Sequence, residues 1–438
     1  MAQTLKFGDG TWATKKGSTL AYNDENGNYK PLPFATTRST SATRVNKQGL
    51  IEVVEGDRPR IDFSNDANGA LLLEPSRSNL VTYSEDFSNA YWSKSGSSIT
   101  SDSVISPDGT LNADKLVENS DTVEHFLRRS LSNPTGFYFW SVFVKADERK
   151  YVVLRTNADG GAYKNACFDV ELGVVVYDGL HQSRARIESF EDDWFRVSGY
   201  VKETSGTSRN YQIHVSNSAI IDNGAISYDG DGTSGVYIYG AQLEEGSYAT
   251  SYIPTQGSTV TRVADTASGS GNSEVFNDSE GVLFANIAAL TQDNDDTVEL
   301  CINNGTTNNR LSISFQTATN ALRVVARVSG VNQVNRTKTL SDITLFNKIA
   351  FKYKQNNYSV FVNGFEILTD TIGTTFPTST LNTFDFDRAD GGTPFYGKTK
   401  QIGYYNTILT DLELETLTSY RTWLSMVNEL NLNVIYNG

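Results

Sequence analysis

FYFWSVFVKADERKYVVLRT, residues 137–156, holds two runs of Val, Phe, Tyr and Leu parted by the charged segment DERK, and its reading decides the fold class. β-Branched and aromatic side chains pack well on a pleated surface, and short apolar runs broken by turn residues read as antiparallel strands. The pattern continues outward through NACFDVELGVVVYD (165–178), WFRVSGYVKE (194–203), NYQIHVS (210–216) and GVYIYGAQLE (235–244). Strands this short and this closely spaced predict a β-sandwich. In YQIHV the alternation puts Tyr211, Ile213 and Val215 on a packed face and Gln212 and His214 on a face expected to meet water.

A second set of strands follows the small, polar, glycine-rich stretch TASGSGNSEV (266–275), which has the composition of a linker. GVLFANIAAL (281–290), TVELCIN (297–303), RLSISFQ (310–316), ALRVVARV (321–328), KIAFKYK (348–354) and YSVFVNGFEIL (358–368) predict a second antiparallel sandwich. Asn356-Asn357 and Asn363-Gly364 supply the positive-φ residues of its tight hairpins. One helix is expected late in the chain. Thr410 can cap it with Glu413 as capping-box partner, and Leu412, Leu417, Leu424 and Val427 form its apolar stripe. The first 80 residues carry DG, NG, P-L-P and R-P-R punctuation with only brief apolar runs, and are expected to be an extended arm.

With 438 residues the chain exceeds what one hydrophobic core serves, so more than one domain is required. Its 22 Tyr and 22 Phe describe a folded chain. A net charge of −14 gives no general grip on nucleic-acid phosphates or anionic lipid, so neither nucleic acid nor membrane is expected as a partner. The opening MAQTLKFGDG has no charged-then-apolar export pattern, and no apolar run approaches the roughly 18 residues of a membrane span, so neither secretion nor insertion is expected. Cys167 and Cys301, far apart in sequence, read as buried small side chains rather than a disulfide. His125, His181 and His214 lack zinc-ligand spacing.

Candidate sites follow from chemistry. Lectin-like sandwiches stack sugar rings on flat aromatic platforms, and Tyr91, Trp92, Tyr404 and Tyr405 are the candidates for glycan contact. Calcium, the one ion considered in an otherwise cofactor-free chain, prefers clustered hard oxygens such as Asp229 with Asp231, and Asp385 and Asp387 with Asp390. Neither cluster fits an EF-hand loop. A glycosidase needs two facing carboxylates, but Glu191-Asp192-Asp193 and Glu244-Glu245 read as solvated turns. No nucleophile elbow and no phosphate-binding loop occurs.

The segments YKPLPFATTRSTSATRVNKQGLIE, PRIDF and LLLEPSRSNLVTYSEDFSNAYW, within residues 29–92, together form a recognisable pattern. It continues through SPDGTLNADKL (106–116), DWFRVSGYV (193–201) and YGAQLEEGSYATSYIPTQGSTVTRVAD (239–265). The pattern resembles a family of structural proteins of tailed bacteriophages, of head-fibre or tail-fibre type. KTKQIGYYNTILTDLELETL (398–417) is similar to the closing strand and helix of laminin-G or concanavalin-A-like sandwiches. The resemblance implies an all-β chain of tandem antiparallel sandwiches. The expected order is the arm (1–80), a jelly-roll-like sandwich (81–265), the linker (266–275), and a laminin-G/concanavalin-A-like sandwich (276–438) with a short C-terminal helix. It also implies a non-catalytic protein of the virion surface that docks on other virion proteins through its arm, assembles as a homotrimer and contacts a bacterial surface glycan. Arg44, Arg58 and Arg77 are expected to bridge loops in this scaffold. The alternatives are a glycan-cleaving depolymerase of a phage tail and a bacterial lectin or adhesin.

Overall fold

The computed structural model describes residues 3–25, 28–64, 66–132, 134–157, 162–180, 184–203, 208–292 and 297–430. The regular structure of the chain is nearly all strand, and the chain divides into two compact units. The first comprises residues 1–41, 54–75 and 263–438, and the second residues 42–53 and 76–262.

The first unit is a sandwich of a ten-stranded and a five-stranded antiparallel sheet. Glu280–Ala289 lies between Asn347–Lys354 and Gly397–Tyr405, and its alternating residues serve two purposes. Leu283, Ala285 and Ile287 enter the main core with Leu300, Ile302, Ile313 and Val324 of the opposite sheet. Val282 and Phe284 point the other way and pack beneath Leu409 and Leu414. A strand covered on both faces reads as a near-continuous apolar run, which is why GVLFANIAA does not alternate and Asn286 is its one polar side chain.

The expected linker and most of the expected arm are instead parts of this first unit, while residues 42–53 and 76–80 of the arm belong to the second. Leu5–Gly8 pairs with Gly397–Tyr405, and Ala70–Leu73 pairs with both that strand and Arg60–Asp62. Within the expected linker, Thr266–Ser268 pairs with Phe34–Thr37, and Ser270 bridges Phe384. These early strands are only three or four residues long, so each carries too little pattern to be recognised alone. Leu5–Gly8 and Ala70–Leu73 are ordered by pairing with a strand more than 300 residues away, and Arg60–Asp62 joins them through Ala70–Leu73. Accordingly, removing residues 1–75 is expected to leave the first unit unfolded, with limited proteolysis degrading the 263–438 segment. A protease-resistant 263–438 fragment would restore the independent arm.

The second unit packs two six-stranded sheets, one around Gly136–Ala146 and one around Tyr151–Asn157. Trp140, Val142, Val144 and Ile238 meet Leu154, Phe168, Ile213 and Val215 in its core. Tyr211, Ile213 and Val215 face this core as expected, but Gln212 and His214 do not meet water. His214 stacks on Phe126 and shares a 2.8 Å hydrogen bond with Gln212. On the same sheet, Ile220 and Ile226 close over Cys167 and Val153, so the outer face is also covered.

Asn356, Asn363 and Gly364 have φ of 54°, 51° and 88°, as the hairpins require, whereas Asn357 is not in the positive-φ region. The expected single helix is two among the described residues: α1 (Asp411–Thr418) and α2 (Trp423–Glu429), with the break at Ser419–Thr422. Thr410 and Glu413 form the anticipated capping box. The stripe is set differently, since Leu414 and Thr418 face the sheet while Leu412 and Leu424 are exposed. The break ends the single helical phase on which the longer stripe was drawn.

Four charged residues form a buried ionic network in the first unit. Arg60 is fully buried, and its guanidinium binds Glu74 at 2.6 Å and also Asp265. Arg38 reaches the other oxygen of Asp265 at 2.8 Å and donates to the carbonyls of Thr40, Val54, Glu55 and Arg58. Burial opposes both charges and pulls Arg38 below its ordinary range; the charges of Asp265 and Glu74 offset burial at Arg60 and hold it above. The arginines expected to bridge loops do less. Arg44 and Arg58 each pair with a nearby acid at 3.2 Å, and Arg77 lies over the Tyr248 ring. Because breaking a buried pair leaves the remaining charge uncompensated, Asp265→Ala is expected to cost about 3–5 kcal/mol of unfolding free energy. Arg58→Ala, at an exposed pair, is expected to cost at most about 0.5 kcal/mol. Urea unfolding of the two variants checks both.

Candidate functional site in a tyrosine and carboxylate cluster

In the second unit the resemblance segments bring two acids and two phenols together. Glu85 lies in the loop after Tyr83, which bridges Gln256, while Asp108 sits in the turn between Ser97–Ile105 and Leu111–Glu118. Gly109, at φ 84°, lets that turn close. Tyr239 comes from Gly235–Glu245, and Tyr252 from the segment that follows it. The Tyr239 hydroxyl is 3.0 Å from both Glu85 Oε1 and Asp108 Oδ2, and the Tyr252 hydroxyl is 3.0 Å from Glu85 Oε1 and 2.7 Å from Ser84 Oγ.

The two acids are driven apart electrostatically. Burial pushes the Glu85 carboxyl up, although both phenols pull it back. Burial also opposes the charge of Asp108, but donors from Thr110, Ser106 and Asn112 overcome it and hold the acid below its usual range. Such divergence marks acid and base pairs in enzymes. Here the Tyr239 hydroxyl occupies the space between the oxygens, so the arrangement fixes two loops to one strand. Asp114, three per cent exposed, accepts from the amides of Phe87 and Asp102 at 3.0 and 3.1 Å and is pushed up to about 6 by burial.

The aromatic candidates are not brought together. Tyr91 and Trp92 belong to the second unit, and Tyr404 and Tyr405 to the first. Tyr91 is half-buried, its ring 4.0 Å below the Arg129 guanidinium. Trp92 is a core residue beside Phe87 and Trp140, its indole N–H donating to the Tyr83 carbonyl at 2.9 Å. Tyr404 is fully buried against Tyr353, and Tyr405 is covered with Leu409 and Leu414. Trp92, Tyr404 and Tyr405 therefore offer no open ring face: Trp92, in the bend before Ser93–Ser95, is enclosed in the core, and the strand that carries Tyr404 and Tyr405 is packed on both sides.

The acids considered for calcium are engaged by protein donors. Asp229 accepts from Thr122, and Asp231 from Thr233, Ser234 and Arg149; the Ser234 donors hold Asp231 well below the ordinary carboxylate range. Asp385 takes the Gly269 amide at 2.6 Å and the Asn303 amide group at 2.7 Å. Asp387 accepts from Ala389, while Asp390 pairs with Arg388 at 3.0 Å. Among the described residues no group of three or more His, Cys, Asp or Glu is placed to hold a metal. His125 and His214 each hydrogen-bond within the second unit, and His181 lies outside the described residues.

Of the expected solvated turns, Asp192 and Asp193 do form one, with φ of 55° and 58°. Glu244 does not. It is fully buried, accepting from Gln242, Thr250 N and the Thr250 hydroxyl. Sequence spacing gives no access to the Glu85, Asp108, Tyr239 and Tyr252 cluster, whose members come from four separated segments. The signal that marks them is the resemblance, since all four fall inside its quoted stretches.

The fold places the chain among antiparallel β-sandwich proteins. No protein-family model and no curated protein matches it. Among solved structures it is similar to the Ruminococcus gnavus IT-sialidase CBM40, with a TM-score of 0.29 and 20% identity, over 34% of this chain and 93% of that one. It is also similar to the leech intramolecular trans-sialidase, with a TM-score of 0.28 and 19% identity, over 36% of this chain and 27% of that one. Domain 4 of AbnA, a GH43 extracellular arabinanase from Geobacillus stearothermophilus, gives a TM-score of 0.28 and 14% identity, over 40% of this chain and 82% of that one. No residue here takes a role from these partial likenesses.

Asp114 and Glu85 both have carboxyls raised by burial, so the native state holds protons more tightly than the unfolded chain does. Their contribution to stability is present below the unfolded carboxylate range, near pH 4, and is lost as pH rises through about 6 for Asp114. The urea midpoint of the second unit is expected to fall between pH 4 and pH 7 through these groups, and Asp114→Asn should flatten the slope. An unchanged slope in that variant would remove Asp114 from the titration.

Proposed function

We propose that this chain is a non-catalytic structural protein of a bacteriophage particle, a head or tail fibre component that presents β-sandwich surfaces to neighbouring subunits and to glycans of the host surface. The observation that carries the reading is where the resemblance segments put their polar residues. TTRST supplies Arg38, PRIDF Arg60, LLLEP Glu74 and RVAD Asp265, the four members of the buried ionic network. YSEDF, SPDGT, YGAQ and SYIP supply Glu85, Asp108, Tyr239 and Tyr252.

Residues tied to one another by hydrogen bonds hold shape, and the four of the ionic network are also buried away from any substrate. That use suits a scaffold repeated many times on a particle, and leaves recognition to loops and faces outside the motif. The depolymerase alternative would need a facing carboxylate pair open to a sugar, whereas Glu85 and Asp108 have a phenol between them.

Immunogold labelling of purified particles, paired with mass spectrometry of their proteins, tests the proposal. Label at the capsid or tail with the chain present in stoichiometric amount is expected. A chain that is absent from particles but releases reducing sugar from host capsule would replace this reading with the depolymerase.

A further inference from the structure

On the outer face of the ten-stranded sheet, two lysines converge on one acid. Lys348 of Asn347–Lys354 and Lys400 of Gly397–Tyr405 flank Glu280–Ala289, and their ammonium groups lie 3.7 and 3.9 Å from the same oxygen of Glu429, Oε2, in the last turn of α2. Aromatic faces back both cations: Lys348 stands 4.3 Å from the Tyr420 ring centre and Lys400 4.3 Å from that of Phe346. Asp66 takes Lys400 at 2.6 Å, the Ser419 carbonyl accepts from Lys348 at 3.3 Å, and Arg421 adds a further positive charge near Lys348. In a chain of net charge −14, this is a local excess of cations, Lys348, Lys400 and Arg421 against the carboxylates of Glu429 and Asp66.

Two polar groups of the same region are unused. Asn286, six per cent exposed, stands directly opposite both Lys348 and Gln401 in the strand register and so shares their face. Its Oδ1 is buried with no hydrogen-bond partner among the described residues, and neither has the buried Tyr420 hydroxyl. A buried acceptor and a buried hydroxyl left unsatisfied cost free energy that an arriving hydroxylated ligand recovers.

The element that brings Glu429 here is weakly held. α2 has seven residues, buries Val427 alone, and leaves Trp423 and Leu424 64% and 62% exposed. So short a helix has little stability of its own, and the Glu429 contacts are longer than the 2.7–2.9 Å of a charge-assisted hydrogen bond.

We infer that the Lys348, Lys400, Tyr420 and Asn286 cradle is a binding site for the carboxylate of a uronic acid in an acidic polysaccharide, and that Glu429 is a tethered stand-in displaced when α2 lifts. The two ammonium groups take the carboxylate, while Asn286 Oδ1 and the Tyr420 hydroxyl take sugar hydroxyls. The inference rests on the glycan-contact part of the proposed function and names its ligand class.

The test is calorimetric titration of the full chain with oligogalacturonate, with neutral oligogalactose and oligoglutamate as comparison probes. Oligogalacturonate alone is expected to bind. Glu429→Gln should tighten binding several-fold by removing the internal competitor, whereas Glu415→Gln, the same charge change on the exposed side of α1, should leave it unaltered. Lys348→Ala or Lys400→Ala in the Glu429→Gln background should weaken binding by about tenfold or more, with thermal unfolding confirming that each variant folds. Equal tightening by Glu429→Gln and Glu415→Gln, equal binding of oligoglutamate, or no uronate binding in the Glu429→Gln chain would each overturn the site. These outcomes are separate from particle location. A chain that binds uronate yet is missing from particles refutes the virion reading alone, and a particle-borne chain that binds none refutes this site alone.

Discussion

The bond from Arg60 to Asp265, with Glu74 and Arg38 on either side of it, is the constraint on which the first unit depends. The chain changes unit four times, after residues 41, 53, 75 and 262. Arg38 precedes the first change, Arg60 follows the second, Glu74 precedes the third and Asp265 follows the fourth. An isolated charge in such surroundings carries a desolvation penalty of several kcal/mol, and only the assembled set cancels it. Any partly formed structure that docks Arg60–Asp62 before Val263 and its successors arrive holds a buried guanidinium without its partners. The network therefore makes assembly of the three sequence segments an all-or-none event.

This dependence explains what the sequence discloses and what it withholds. Strands of the length of Gly136–Ala146 carry enough alternation and enough β-branched and aromatic residues to be recognised from their own composition. The Asn363-Gly364 turn and the Thr410–Glu413 cap are equally local, since each is a hydrogen bond or backbone preference spanning a few residues. Leu5–Gly8 and Thr266–Ser268 are strands only because distant partners complete them. A rule based on local composition sees there a polar, glycine-punctuated segment, and so describes an arm and a linker. The same limit hides the candidate site. Trp92, Tyr404 and Tyr405 have the flat rings that a sugar platform needs, but whether a ring is open is decided by what packs across from it, which local sequence does not carry.

Polar residues show the limit most clearly. Glu244-Glu245-Gly246 has the composition of a solvated turn, yet Glu244 is enclosed with Gln242 and Thr250, and Glu245 alone is exposed. Adjacent residues of a strand face opposite ways, so a pair of acids can be divided between interior and solvent. Glu85 and Asp108 illustrate the converse. Each is one acid in a sequence that has 51, and only the approach of Tyr239 and Tyr252 sets them apart.

The outer face of the ten-stranded sheet carries two kinds of attachment, and their chemistry differs in a way that bears on function. α1 is held by Leu414 against Val282, Phe284 and Phe361, a contact whose strength comes from removing apolar surface from water and which dissolved polar molecules do not replace. α2 is held by the buried Val427 and by Glu429 facing two lysines, and the inferred uronate would take the place of the carboxylate on the helix. Ionic strength weakens the second contact and not the first. The residues between the helices, Ser419 to Thr422, interrupt the helical hydrogen bonding, so the two helices are separate elements. A sheet face closed by an exchangeable charge beside a permanent apolar contact can open locally without loss of the sandwich beneath it.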